Sequence, residues 1–345
     1  MSSLTAAVRV ATISAMAKTD QEASAPPPLA GARGRLHSSS SRGEEATDAS
    51  PLPLRGESSP RFSRVVGDRV VRFAEDVLGE DIDAKIARIR THHNETGHDP
   101  FGFDPDTTRY VLAGAALLHR YYFRTEVHGV ENVPGDGRLL VIANHSGQVP
   151  LDGVMIATAL MMDADPPRFP RSMVEKWTAE LPFVSVLFPR VGQVVGSPAN
   201  ARRLLENEES LVVFPEGARG ISKTFDKRYQ MTPFGLGFMR LALETQTPIV
   251  PVAVVGAEEQ YPSLGDIKPL AKLLGMPAFP VIPQLFVGML APLPTKYHLY
   301  FGEPLRFEGD PDDDDAVIEE KVWSVRTAIE SMLQRGLEAR EGVFF

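Results

Sequence analysis

The sequence predicts an α/β fold: a mostly parallel central sheet flanked by helices, with N-terminal helices and a disordered N-terminal tail ahead of it. Short apolar runs, "RLLVIAN", "SLVVFPEG" and "PIVPVAVVG", recur after Thr125, and each ends at Asn or Gly. Such runs fit strands buried on both faces. Between them lie longer segments with helical character, "VPLDGVMIATALMM" and "PFGLGFMRLALETQ". Strands alternating with helices are the pattern of a parallel sheet with crossover helices. With 345 residues, 43% of them hydrophobic, the chain can fill one large core with extensions, or two small domains.

Residues 1–64 are rich in Ser, Ala, Pro and Gly and poor in aromatics. Such a stretch buries too little apolar surface to offset its ordering entropy, so it reads as a disordered tail. Its first 18 residues are basic and free of acids, which also fits a transit peptide. Residues 65–124 read as an N-terminal helical region. One helix is expected from about Phe62 to Arg90, with Val65, Val66, Val70, Phe73, Val77 and Leu78 at helical spacing. "THHNETGHDPFGFDPD" reads as a solvated loop, because its His92, His93 and His98 match no standard metal spacing. A second helix covers "DTTRYVLAGAALLHRYYF", with Asp106 as its expected cap.

Residues 125–345 read as the functional domain. "RTEVHGV" is a short strand, "RLLVIAN" a buried strand, and "VPLDGVMIATALMM" a helix. "SLVVFPEG" is a second buried strand and "PFGLGFMRLALETQ" a helix. "PIVPVAVVG" is a third buried strand and "KYHLYFGEPL" a late one. The chain closes on an amphipathic helix from Asp312 to Arg340, whose acidic start complements the helix dipole. The acids from Asp310 to Asp315 lack the glycine and final glutamate of an EF-hand and read as a solvated helix start.

Charge and cysteine content exclude whole classes of function. Net charge is -9, so nucleic acid is not an expected partner. There is no cysteine, which removes disulfides, zinc-thiolate sites and a thiol nucleophile. No ordinary transmembrane helix is evident. The charge-free stretch from Leu273 to Thr295 is long enough to span a bilayer. Five prolines, Pro277, Pro280, Pro283, Pro292 and Pro294, forbid one regular helix there. It is expected either to pack in the core or to lie at a lipid interface, with Phe279, Leu285, Phe286, Met289 and Leu290 inserted and Lys272 and Lys296 at the headgroups.

The chemistry concentrates at two strand ends. "NHSGQVPLD" places Asn144 and His145 at the carboxyl end of a buried strand, the edge where open α/β sheets bind ligands. Gly147 and Pro150 bend the chain, and Asp152 falls at the start of the next helix. A carboxylate there can accept the imidazole Nδ1–H and leave Nε2 free as a base. The same residues also fit a helix-capping Asp and a satisfied loop His. "VVFPEGARG" repeats the arrangement: a buried strand ends in a turn expected to expose Glu216 and Arg219. Lys223, Lys227 and Arg228 follow, a basic cluster suited to phosphate.

Taken together, "NHSGQVPLD", "VVFPEGARG" and "PIVPVAVVG", in that order, resemble the glycerolipid (lysophosphatidic acid acyltransferase-like) acyltransferase family over roughly Thr125 to Pro304. The resemblance implies that an acceptor hydroxyl attacks the thioester of acyl-CoA or acyl-ACP, the co-substrate, with no cofactor and no metal. It implies His145 as general base and Asp152 as its orienting partner. It implies Glu216 and Gly217 at the acceptor site, Arg219 as a phosphate contact, and Pro251 as the proline of the last block. Arg190 and Gly192 stand nearest to the family's Gly/Arg segment, and Lys223 joins the substrate-binding set.

This chain departs from the family pattern in two places. Six residues, Ser146–Leu151, separate His145 from Asp152 where the family has four, and Ala218 stands for the usual threonine. "PVIPQLFVGMLAPLPTKYHLYFGEPL" is also similar to the diacylglycerol acyltransferase-like branch, which uses neutral acceptors. Direct transfer needs a base but no protein nucleophile, in keeping with a chain that has no Cys and no Gly-x-Ser-x-Gly elbow. Backbone N–H groups of the Ser146–Gly147 turn are candidates for the oxyanion. The expected setting is the cytoplasmic face of a membrane, peripherally bound, with membrane lipids as partners. A thioester hydrolase and a non-catalytic lipid-binding relative are the rival readings.

Overall fold

The "LLVIA" run of Leu139–Ala143, strand β2, is buried at every position. In a computed structural model that describes residues 61–89, 99–175, 184–273, 279–286 and 291–345, β2 lies at the centre of a seven-stranded sheet. The other strands are β1 (Glu126–His128), β3 (Pro170–Val174), β4 (Gln193–Val195), β5 (Ser210–Val213), β6 (Ile249–Val255) and β9 (His298–Phe301). Their order is β1-β9-β6-β2-β5-β3-β4. β2 pairs in parallel with both β5 and β6, and among the described residues only the β6–β9 strand pairing of this sheet is antiparallel. A small hairpin of β7 (Gly265–Asp266) and β8 (Pro280–Val281) stands apart. The described residues all belong to one unit, Ser58–Phe345.

The central strands β2 and β6 read as unbroken apolar runs because both faces are covered. On one face Leu139, Val141 and Ala143 meet Met155, Ile156, Ala159 and Leu160 of the helix Leu151–Met162 (α4). On the other, Leu140 and Ile142 meet two further helices. One is Gly237–Thr245 (α8), through Phe238, Met239 and Ala242. The second is the C-terminal Asp315–Ala339 (α11), through Ile318, Val322, Val325 and Ile329. Truncating a fully buried side chain such as Leu140 to Ala costs about 2–5 kcal/mol.

Several expectations change. The first predicted helix ends early. α1 is Arg61–Leu78, and Gly79 at φ +69° stops it, a left-handed position that glycine fills without strain. α2 (Ile82–Ala87) restarts with Asp81 accepting from Ala84 N at 2.7 Å. The apolar positions that give α1 its helical spacing lie largely on its outer face. Val71 and Ala74 are buried against α3 (Pro105–Leu117), while Val65, Val66, Val70, Phe73 and Val77 are exposed. The cap of α3 is Asp104, which accepts from Thr107 N at 3.1 Å, rather than Asp106.

β3 and β4 are strands that the sequence reading missed. β3 contains Arg171, fully buried, its Nε 2.6 Å from Glu209 and its Nη2 paired with Asp99. A charge in a short run hides a strand when both partners are distant in sequence. His92, His93 and His98 lie outside the described residues, as does the tail read as disordered up to residue 60.

Candidate active site

β2, β5 and β6 are parallel neighbours, so their carboxyl ends open onto one edge. Asn144 is the first residue past β2. Its side chain extends the ladder, Oδ1 accepting from Val254 N at 2.8 Å and Nδ2 donating to Val254 O at 3.1 Å. That clamp fixes where the next residue, His145, leaves the sheet. Gly147 turns the chain at φ +75°, and a Cβ there would stand 2.3 Å from Gln260 Nε2, so only glycine fits.

The six-residue spacing brings Asp152 back to His145. Asp152, fully buried in the first turn of α4, has Oδ2 2.8 Å from His145 Nδ1. The same oxygen accepts from Ser146 N at 2.8 Å, and Oδ1 accepts from Gly153 N at 2.8 Å. Three contacts hold the carboxylate, and one of them fixes the imidazole. An ionised carboxylate on Nδ1 selects the Nδ1–H tautomer, which leaves Nε2 as the nitrogen able to take a proton. The ring stacks on Phe214 at 4.0 Å between centroids.

The second strand end sits directly behind the first. Glu216 is buried, not exposed on the turn as expected. Its Oε1 accepts from His145 N at 2.9 Å, and its Oε2 accepts from Thr232 N at 2.7 Å and Thr232 Oγ1 at 2.9 Å. Gly217, at φ +58°, makes the turn into the single helical turn Ala218–Ile221. Gly220 lies where a Cβ would stand 2.7 Å from His145 Cβ. Chain close-packing thus holds the histidine from below.

The dyad and the Glu216 turn lie within the stretch that matches a known family. Residues 124–255 match the profile described as Acyltransferase. An uncharacterized protein of Mycobacterium tuberculosis is 39% identical over 257 residues, covering 72% of this chain and 71% of that one. The chain belongs to the acyltransferase family. A human protein named DGAT1/2-independent enzyme synthesizing storage lipids is 25% identical over 222 residues, 64% of this chain and 63% of that protein. The crystal structure of the 1-acyl-sn-glycerophosphate (LPA) acyltransferase PlsC from Thermotoga maritima is similar at a TM-score of 0.45 and 17% identity, covering 81% of this chain and 98% of that one.

Within this acyltransferase the remaining predicted residues separate. Arg219 is exposed on the turn next to Gly220, its Nη2 3.3 Å from Pro233 O. Lys227 and Arg228 are also exposed, with Arg228 over the Phe225 ring. Lys223 is not part of that outward cluster. Its side chain is buried, Nζ lies 2.7 Å from Glu258 Oε1 and 3.8 Å from Glu216 Oε2, and its charge is spent inside the protein.

Two more expected site residues sit away from the dyad. Arg190 comes three residues before β4, on the amino side of the sheet, where its carbonyl accepts from Asp104 N at 2.9 Å. Topology therefore puts it at the end opposite His145. Pro251 is buried within β6 beside Ile142, so it packs below the edge rather than lining it. Ser146 N, a candidate oxyanion donor, is committed to Asp152.

Sequence reasoning passed over the loop after β6. Glu258 is pushed up to about 7, raised by burial and drawn back by the Lys223 ammonium and by hydrogen bonds from Lys223 and Tyr229 N. Glu259 accepts from the Tyr229 hydroxyl and, at 2.8 Å, from Arg340 just past α11. Gln260 Nε2 donates to Val149 O at 3.0 Å, tying this loop to the one that carries His145. The signal was available: "GAEEQ" follows the third parallel strand, so it had to emerge at the same edge.

Proposed function

We propose that this acyltransferase moves a fatty acyl group from a thioester, acyl-CoA or acyl-ACP, to a hydroxyl of a glycerolipid. The observation that carries this reading is the 2.8 Å contact between His145 Nδ1 and the buried Asp152 carboxylate. His145 Nε2 takes the proton of the acceptor hydroxyl as its oxygen attacks the thioester carbon. The tetrahedral intermediate collapses, the C–S bond breaks, and the thiolate leaves with the proton held on Nε2. The products are an ester and a free thiol. A positioned base is worth about 10²–10⁴-fold. The rest comes from holding two substrates together and from donors to the oxyanion. With Ser146 N committed, the Gly147 amide is the turn donor left for that role.

Glu216 acts in this reading by fixing the backbone of His145, and Gly217 and Gly220 by letting the turn approach it. Arg219 is the one predicted phosphate contact that both faces outward and adjoins the dyad. The engagement of Lys223 by Glu258 and Glu216 favours a second reading of the acceptor, a neutral glycerolipid such as diacylglycerol. The name of the human relative, an enzyme synthesizing storage lipids, leans the same way.

No helix among the described residues is long and apolar enough to cross a membrane. Two apolar surfaces support peripheral docking on lipid. On α1, Val66, Val70, Phe73 and Val77 recur at helical spacing and are all exposed. Beyond β6, Leu264, Ile267, Leu285 and Phe286 are exposed, Phe286 at 77%. In the charge-free stretch, Ile282, Gln284 and Thr295 are buried while Leu285 and Phe286 are not, so it divides between core and surface. Met289 and Leu290 lie outside the described residues.

The test is to incubate purified protein with acyl-CoA and a panel of lyso-lipids and diacylglycerol, following thiol release and product lipids by mass spectrometry. Acceptor-dependent release with an acylated product is expected. Acceptor-independent release would instead mean a hydrolase, and no release a binding protein.

A further inference from the structure

A second group of metal-ligating side chains lies at the outer edge of the sheet. Glu126 and His128 stand two apart on β1, so their side chains share a face. Glu126 lies opposite His298 of β9, and His128 opposite Tyr300. Two residues from one strand and one directly across from the first converge on a single patch. Glu126 Oε2 is 3.2 Å from His298 Nδ1 and 3.8 Å from His128 Nε2. One donor atom from each of the three residues lies within 4.8 Å of the others. Tetrahedral zinc, with bonds of about 2.0–2.1 Å, sets its ligand atoms about 3.3 Å apart. Both glutamate–histidine edges are near that size already. A small swing of His128, whose side chain is 47% exposed, closes the third.

An independent observation points to the same place. His298 is buried, and neither of its ring nitrogens has a hydrogen-bond partner. Nδ1 comes to ion-pair distance of Glu126 without the geometry of a hydrogen bond. A buried polar ring left unpaired is unusual and calls for an explanation. The surroundings leave room for one. Lys296 Nζ takes the other carboxylate oxygen, Oε1, at 2.7 Å, so Oε2 faces the two imidazoles. The Tyr300 ring stacks on His128 at 4.6 Å between centroids and covers one face of that imidazole.

We propose that Glu126, His128 and His298 bind a divalent metal of the zinc type, which staples the edge strand β1 to β9. Two imidazoles and one carboxylate suit a borderline cation such as Zn²⁺ or Co²⁺, with water in the fourth position. The site shares no residue with the His145–Asp152 dyad, and its test does not depend on acyl transfer.

Full-length protein is stripped with EDTA, dialysed, and titrated with ZnCl₂ by calorimetry, with thermal melts in the presence and absence of zinc. The proposal predicts a zinc-dependent rise in Tm for the wild type. It also predicts a binding event that His128→Ala and Glu126→Gln each weaken by about tenfold or more. The chain has 8 histidines and no cysteine, so zinc held by other histidines persists in the variants and subtracts out. Both substitutions alter half-exposed side chains, and melts in EDTA report whether each variant is folded. Equal zinc affinity and stoichiometry in wild type and His128→Ala, or no rise in the wild-type Tm, would overturn the proposal.

Discussion

The turns after β2 and β5 occupy the same topological position, yet they are built for different work. After β2, Asp152 spends three contacts within one loop and helix start, and the result is a histidine with one nitrogen fixed. After β5, Glu216 reaches outside its own turn, to the backbone of His145 and to Thr232. The first turn presents an imidazole with Nε2 left over. The second turns its carboxylate inward and presents Arg219. A strand end in an α/β sheet is thus a place for chemistry, but whether a charge there acts or supports depends on its hydrogen bonds.

The largest effect that would break this comparison is Asp152→Ala. It strands the amides of Ser146 and Gly153 and frees the imidazole. Activity should fall by about 10²–10⁴-fold, and Tm should fall with it, because the loss leaves buried donors unpaired. Asp152→Asn keeps the shape and should lose less than removal of His145. Glu216→Ala comes next. It should cost about 2–5 kcal/mol in denaturant melts, through unpaired donors and a buried Lys223 left with one carboxylate. Turnover should drop by up to about 10²-fold as His145 loses its backbone anchor. If Glu216→Ala instead raised only the acceptor KM, Glu216 would be a binding group and the contrast between the turns would fail.

Arg219→Ala sharpens the comparison at the level of substrate. With an anionic acceptor the acceptor KM should rise about tenfold, the loss of one charge-assisted contact. With a neutral acceptor it should hardly change. A rise confined to the acyl-donor KM would assign Arg219 to the donor's phosphates. The smallest effect concerns Glu258. Its carboxyl is held at about 7 in the folded protein, above the ordinary 4.5. The folded state therefore keeps a proton that the unfolded chain releases, so stability from this group is full below 4.5 and is lost as pH rises toward 7. Glu258→Gln should flatten that part of the stability–pH curve between pH 4.5 and 7. An unchanged slope would show that Lys223 keeps Glu258 ionised throughout.

Much of this was legible in the residues because β2, β5 and β6 are buried on both faces and so carry uninterrupted apolar runs. The His145–Asp152 pair was legible because its partners lie within one loop. What stayed hidden rests on pairs far apart in sequence. Arg171 disguises β3 until Asp99 and Glu209 are seen beside it. Lys223 reads as a surface cation until Glu258, 35 positions on, takes its charge. Arg190 and Pro251 were placed by motif similarity; Arg190 lies before β4 and Pro251 within β6 beside Ile142, positions the motif alone does not give. Helical periodicity located α1 but not its end at Gly79, and the apolar positions that revealed it are mostly exposed.

The most direct measurement compares acceptor-dependent thiol release by wild type and His145→Ala at saturating substrates, with the Tm of both recorded. The account predicts a variant that melts near the wild-type temperature and retains less than about a hundredth of its turnover, the usual loss of a general base. A folded His145→Ala protein that kept more than about a tenth of wild-type turnover would contradict the claim that this imidazole takes the acceptor's proton.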